Sequence, residues 1–167
     1  LESVMDKARM APSAGNAQSW SAVVIDDKNI LEKILDSTDG TDAAIIVNAE
    51  PLNEPLVVRY GARGQQLYCI QDAWAAVENI ALAFYVISYD VKIIDDFDAG
   101  ILRSSLGIST QSSPQAIILV KNQASENSKF IEKYRSRFAG DDPMDILDAL
   151  KQRRSTRTFK KDKPIDA

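Results

Sequence analysis

The sequence predicts a single domain of mixed α and β structure. Its 167 residues are in the usual size range of one domain, and 45% of them are hydrophobic, which is enough for one sizeable core. Several segments repeat apolar residues at helical spacing, and short β-branched runs of strand length stand between them. We find no internal repeat and no low-complexity tract, and therefore expect one domain over residues 1–167.

The first half of the chain alternates helix and strand patterns. Residues 1–8 have helical spacing, and Pro12 ends this pattern because proline cannot continue a helix. The run at 20–25 is β-branched and predicts a strand, as does the buried run at 43–48. Between them, the apolar residues at 30–35 predict one face of an amphipathic helix.

The second half is dominated by one long apolar segment. Residues 71–87 are rich in alanine and too long for a strand, so they predict a central core helix. The further predicted elements are a short helix at 101–106, a strand at 116–120, a charged surface helix at 130–138 and, after a Gly-Asp-Asp-Pro turn, an amphipathic helix at 144–150.

Composition excludes several classes of function. The 24 acidic and 20 basic residues are mixed along the chain and give a net charge of −4, so nucleic acid is not an expected partner. No apolar run reaches the roughly 20 residues that a membrane span needs, no targeting segment is visible, and the single cysteine, Cys69, cannot form an intrachain disulfide. We therefore expect a cytoplasmic protein that does not insert in a membrane.

The absence of histidine is the most informative feature of the composition. It removes Ser-His-Asp and Cys-His catalysis together with the commonest metal ligand. Cys69 has no second thiol near it in sequence, so it is expected to be structural. If the chain is an enzyme, a bound organic cofactor is the simplest source of its chemistry, and no metal site is expected.

Two motifs point to one family. The sequence reads Arg-Arg-Ser-Thr-Arg-Thr-Phe at 153–159 and Ala-Pro-Ser-Ala-Gly-Asn-Ala-Gln-Ser-Trp at 11–20. Together they resemble the N-terminal signature of the nitroreductase family, Arg-Arg-Ser-x-Arg-x-Phe followed after a helix by Ala-Pro-Ser-x-x-Asn-x-Gln-x-Trp. Further similar segments lie at 48–51, 60–72, 75–83, 97–108 and 114–118.

The two motifs stand in the reverse of the family order. In the family the segment equivalent to 144–167 precedes the one equivalent to 1–20, so the chain resembles a circularly permuted member with a seam near 140–144. Domain termini are often close together, which makes such a rearrangement physically reasonable. An engineered, a natural and an artefactual rearrangement all remain open.

The resemblance implies both a fold and an activity. The fold would be α+β, with a mainly antiparallel central sheet flanked by helices, in a domain-intertwined homodimer that binds FMN at its interface. The activity would be that of an FMN-dependent oxidoreductase, which takes electrons from NAD(P)H and reduces nitroaromatic, quinone or similar electron-poor small molecules by a ping-pong mechanism. The flavin would carry the chemistry, so no catalytic side chain is expected.

A basic cluster is the candidate phosphate site. Guanidinium groups offer charge and fixed multiple donors to a phosphate, and an exposed basic helix end is the alternative interpretation. The resemblance implies that Arg153, Ser155 and Arg157 bind the phosphate and ribityl end, with Arg154 contributing through its side chain or backbone. Later basic residues, at 129, 133, 135 and 137, could add a phosphate contact, although a solvated helix face is the better interpretation.

The candidate contacts to the flavin ring come from a loop and a helix. The loop residues Pro12, Ser13, Asn16 and Gln18 carry small or amide groups that can bond to a ring edge, and the resemblance places them at the partner subunit's flavin. An ordinary helix-to-strand loop is the alternative. Asn79 lies within the apolar helix, where the resemblance makes it a flavin contact and a core asparagine bonded to backbone is the alternative.

Two departures from the family pattern leave the reaction open. Residues 88–93 read Ser-Tyr-Asp-Val-Lys-Ile where many relatives have Gly-Leu-Gly-x-x-Trp, and Ser19 replaces a usual proline. The first departure puts the choice of substrate in doubt. Other flavin chemistry on the same fold therefore remains an alternative, namely dehalogenation, flavin fragmentation or azoline oxidation, as does a non-catalytic flavin-binding dimer.

Overall fold

The computed structural model describes residues 2–35 and 40–122. The predicted helices at 130–138 and 144–150 lie outside these residues. In chain order the described elements are α1 (Glu2–Ala8), β1 (Trp20–Ile25), α2 (Lys28–Ile34), β2 (Ala43–Ala49), α3 (Glu54–Arg63), α4 (Cys69–Val86), β3 (Tyr89–Ile94), α5 (Ala99–Leu106) and β4 (Ser113–Asn122). A 3₁₀ turn, Ala14–Asn16, precedes β1, and a π-helical turn, Gly64–Tyr68, joins α3 to α4.

The four described strands form one antiparallel sheet in the order β1-β2-β4-β3. The central strand β2 is buried along all seven residues, because it has a neighbour on each side and helices over both faces. Trp20 lies opposite Ala49, so β1 begins where β2 ends. The predicted α+β class with an antiparallel sheet is confirmed.

Side chains that alternate along β2 build two separate cores. Ile45 and Val47 point to the face covered by α1 and α4, while Ala44 and Ile46 point to the face covered by α2 and α5. This is the two-sided burial expected when a strand with period-two geometry carries apolar residues at every position. The α4 side is the larger core, and it is the side against which the candidate loop packs.

Three elements were not predicted from the sequence. In α3 only Leu56 is buried, so the segment shows little apolar periodicity. The π-helical turn continues from it with Gly64 as its only buried residue. The third element, β3, is formed by the divergent residues 89–94 and pairs with β4 alone, which leaves its side chains half-buried or exposed.

No helix of residues 2–35 and 40–122 is long and apolar enough to cross a membrane. The described residues also hold no group of three Cys, Asp or Glu side chains arranged to bind a metal ion.

Candidate functional site

The predicted loop, residues 12–18, adopts a tight and unusual backbone conformation between α1 and β1. Gly15, Asn16 and Gln18 have positive φ angles of 57°, 60° and 52°. A left-handed conformation costs a residue with a side chain about 1–2 kcal/mol, so Asn16 and Gln18 need compensating contacts to remain there.

Gln18 supplies part of that compensation by bonding within the loop. The Oγ atom of Ser13 accepts from both the backbone N–H and the Nε2 of Gln18, each at 3.0 Å. Nε2 also donates to the carbonyl of Ala11 at 3.2 Å, and Oε1 accepts from the indole Nε1 of Trp20 at 3.0 Å. The amide of Gln18 is therefore largely engaged, and only the second lone pair of its oxygen remains for a ligand.

A buried carboxylate of α4 holds the loop at two points. Asp72 is only 4% exposed. Its Oδ1 accepts from the backbone N–H of Ala14 at 2.7 Å, and its Oδ2 accepts from the hydroxyl of Ser19 at 2.6 Å. Sequence reasoning missed this residue, although an aspartate on the apolar face of a core helix is a signal, because buried charge requires partners.

Helix α3 contacts the loop from the opposite side. The side chain of Asn53 caps α3 by accepting from the N–H of Leu56 at 3.1 Å, and it donates to the carbonyl of Ala17 at 3.2 Å. A Cβ atom on Gly15 would lie 2.9 Å from Nη1 of Arg59. This close approach and the positive φ both favour glycine at this position.

A pocket opens beside the loop. It has a volume of about 410 Å³ and is lined by Arg9, Asn16, Gln18 and Trp20. This volume is within the range of small-molecule sites, about 300–1,000 Å³. The lining combines one positive charge, two amides and one aromatic ring, which suits a planar ligand with polar edges.

The predicted contact Asn79 is buried but separate from the loop. It is 6% exposed on α4, and its Nδ2 has no hydrogen-bond partner among the described residues. It follows Asp72 by seven residues, or about 10 Å along a helix, and the pocket beside the loop is lined by other residues. The orphan donor is a cost that a ligand carbonyl would remove.

The predicted phosphate residues lie outside the described part of the chain. Arg153, Arg154, Ser155 and Arg157 fall beyond residue 122, as do the later basic residues at 129–137. The structure thus brings together Pro12, Ser13, Asn16 and Gln18 in one loop and places Asn79 apart from them. The phosphate site stays a prediction.

Cys69 has the environment of a structural thiol. It is fully buried, and its Sγ donates to the carbonyl of Gln65 at 2.9 Å. Burial raises the pKa of this thiol, and the negative charges of Asp72 and Glu50 raise it further. A thiol with a raised pKa is a poor nucleophile, which agrees with the structural role predicted for it.

Comparison with known proteins relates this loop and this sheet to one family. A sequence model of the nitroreductase family matches residues 1–52. A protein of Archaeoglobus fulgidus, provisionally named NADH dehydrogenase/NAD(P)H nitroreductase, is 33% identical over 89 residues, which are 50% of this chain and 47% of that protein. The chain therefore spans about half the length of the curated relative it matches.

Solved structures extend the likeness to the whole described fold. A nitroreductase family protein of Clostridium difficile 630 has a TM-score of 0.62 at 24% identity, covering 86% of this chain and 85% of its own. A nitroreductase-like protein of Streptococcus mutans has a TM-score of 0.66 at 16% identity, covering 83% and 84%. An FMN-dependent nitroreductase of Clostridium difficile R20291 has a TM-score of 0.58 at 20% identity, covering 75% of each chain.

The antiparallel sheet between two helical layers therefore defines an α+β protein of the nitroreductase fold. The chain resembles the nitroreductase family in sequence over residues 1–52, which include the motif at 11–20, and it has that family's fold. The circular permutation stays a prediction. It assigns residues 144–167 to the part of the family sequence that precedes the equivalent of residues 1–20.

Proposed function

We propose that this protein is an FMN-dependent oxidoreductase that uses NAD(P)H to reduce nitroaromatic, quinone or similar electron-poor small molecules. The observation that carries the proposal is the loop at 12–18. It has the family motif, lies within the residues that match the family model, and borders a pocket of suitable size. The match to an NAD(P)H nitroreductase and the fold of an FMN-dependent nitroreductase support the same conclusion.

The described residues fit a flavin in two respects. Asn16 and Gln18 line a pocket in which amide groups can bond to the polar edge of a ring. The buried Nδ2 of Asn79 is a hydrogen-bond donor with no partner in the described structure, and a flavin carbonyl would satisfy it. When bound, FMN would supply two-electron redox chemistry between NAD(P)H and the acceptor.

The chain's own groups bind and orient rather than react. Arg153, Ser155 and Arg157, with Arg154, would hold the phosphate through charge-assisted hydrogen bonds. Pro12 and Ser13 shape the loop, and the hydroxyl of Ser13 fixes the side chain of Gln18. No catalytic side chain is assigned, which is consistent with a chain that contains no histidine.

The proposal includes a homodimer in the cytoplasm. The described structure leaves Leu67, Ile70 and Trp74 exposed by 40%, 37% and 38% along one side of the π-helical turn and α4, and a second subunit would cover such an apolar surface. The single cysteine supports a reducing compartment.

The test is flavin binding followed by turnover. The purified, desalted protein is mixed with FMN, freed of excess, and its visible absorbance spectrum is recorded. We expect about one FMN per chain and oxidation of NADH or NADPH when a quinone is added. Asn79→Leu and Arg153→Ala should each weaken FMN binding by roughly tenfold, because each removes a hydrogen bond to the ligand.

Glu78→Gln is the matched control for Asn79→Leu, since Glu78 is an exposed neighbour on the same helix. A folded protein that retains no flavin would overturn the proposal. Flavin binding without turnover of NAD(P)H and quinone would replace the reductase with a non-catalytic flavin-binding dimer or with other flavin chemistry. Quinone reduction at unchanged rates in the flavin-free protein would also contradict it.

A further inference from the structure

One buried carboxylate forms hydrogen bonds near both ends of the candidate flavin loop. We call this pair of hydrogen bonds the bracket. Asp72 bonds to Ala14 and to Ser19 with different oxygens, and these contacts join positions that are 58 and 53 residues apart in sequence. Between the two bracketed positions lie Asn16 and Gln18, the residues with positive φ that line the pocket. Ser19, the residue that departs from the family pattern, is completely buried and uses its hydroxyl in this bracket.

The loop conformation depends on contacts from outside it. The left-handed conformations of Asn16 and Gln18 are unfavourable in isolation, by about 1–2 kcal/mol at each residue. The bonds of Gln18 to Ser13 hold one end of the loop, and the bond of Asn53 to Ala17 holds its middle from α3. Only Asp72 connects the loop to the central helix α4 in the described hydrogen-bond set.

We propose that Asp72 is a positioning residue of the flavin site, which fixes segment 14–19 through Ala14 and Ser19 and thereby presents Asn16 in the pocket. The inference rests on the proposed function. It assigns to Asp72 no contact with the flavin, since its two oxygens are used by the loop. Loss of the bracket should therefore loosen the loop and weaken FMN binding without unfolding the sheet.

Substitutions at position 72 can separate the effect of the two hydrogen bonds from the effect of the negative charge. An amide at position 72 can reproduce both bonds, because its oxygen can accept from the N–H of Ala14 and its nitrogen can donate to the hydroxyl of Ser19. Asp72→Asn should therefore preserve the bracket, whereas Asp72→Ala removes both bonds and Ser19→Ala removes one. Because asparagine also keeps the volume of the aspartate side chain, Ser19→Ala, which removes one bond and leaves position 72 unchanged, distinguishes the two bonds from a role in filling space.

The experiment measures the conformation of the loop in the flavin-free protein and, separately, the affinity of the protein for FMN. In a Trp74→Phe background Trp20 is the only tryptophan, and its indole bonds to Gln18 inside the loop. In this background Trp20 emission and acrylamide quenching are measured for flavin-free Asp72→Ala, Asp72→Asn and Ser19→Ala, and the FMN dissociation constant is measured by flavin fluorescence for the same substitutions with Trp74 retained. Glu78→Ala, exposed on the same helix, is the matched control.

We expect Asp72→Ala to raise the FMN dissociation constant at least about tenfold, because hydrogen bonds to charged groups are among the stronger ones. Ser19→Ala should raise it about threefold, and Asp72→Asn should recover most of the wild-type affinity. Quenching of Trp20 should increase in the same order, and Glu78→Ala should change neither signal. If Asp72→Ala does not fold, Ser19→Ala alone decides the comparison.

Equal FMN affinity and equal Trp20 quenching in all variants would overturn the inference. So would an Asp72→Asn protein as weak as Asp72→Ala, because charge rather than the bracket would then be responsible. Failure of the wild-type protein to retain FMN would overturn the proposed function and the flavin part of the inference. In that case the Trp20 signals still decide separately whether Asp72 holds the loop.

Discussion

At the scale of single residues, Ser88 is strained where a glycine would not be. It follows the last turn of α4 with a φ of 65°, and its N–H bonds back to the carbonyl of Tyr85 at 3.1 Å. Left-handed residues commonly close helices in this way, and most of them are glycine. Ser88 therefore has a backbone conformation that glycine adopts more readily.

We expect Ser88→Gly to stabilise the protein by about 0.5–1 kcal/mol, since relief of the left-handed strain exceeds the extra chain entropy of glycine. The measurement is the free energy of unfolding from urea titration. Ser104→Gly in the middle of α5 is the control, and it should destabilise by about 0.5 kcal/mol because its backbone is helical and glycine has a lower helix propensity than serine. Equal effects of the two substitutions would show that Ser88 is not strained.

At the scale of elements, the junction of α3 with the π-helical turn depends on close packing at Gly64. A Cβ atom there would lie 2.9 Å from the carbonyl oxygen of Leu56 and 3.1 Å from its Cγ. Leu56 is fully buried, so neither atom can move away freely. In the same helix, Arg59 and Tyr60 lie against Gly15 of the candidate loop.

We therefore expect Gly64→Ala to lower the free energy of unfolding by about 1–3 kcal/mol, in spite of alanine's better helix propensity. Gly107→Ala is the comparison, because a Cβ there meets nothing within 4 Å and only its φ of 66° opposes the change. That substitution should cost about 1 kcal/mol. Urea unfolding measures both, and a neutral or stabilising Gly64→Ala would show that the contact is not tight.

The same elements show what the sequence could predict. Strand β2 was predicted because it is a continuous apolar run of strand length, and helix α4 because its apolar, alanine-rich segment is too long for a strand. Helix α3 and strand β3 bury too little to leave such a pattern. The loop at 12–18 was predicted from its motif, but its bracket was not, because no local signal joins Asp72 to Ala14 and Ser19.

At the scale of the whole molecule, the sheet has no uncovered apolar face in the described structure, since α1 and α4 cover one side and α2 and α5 the other. Apolar side chains nevertheless remain exposed on α4 and the turn before it among the described residues. Ile70 and Trp74 lie one helical turn apart and point to the same side. A second copy of the chain would bury them.

We expect the protein to be a dimer by light scattering, and Trp74→Glu to weaken it. A buried interface tryptophan commonly contributes at least about 2 kcal/mol, or roughly 30-fold in the dissociation constant. Val24→Glu on β1 is the control, because Val24 is equally exposed, at 39%, but lies on a different element. Since the loop at 12–18 is predicted to serve the partner's flavin, FMN content should fall together with the dimer fraction in Trp74→Glu. A wild-type monomer that binds one FMN per chain would contradict the interface and require the loop to serve its own subunit.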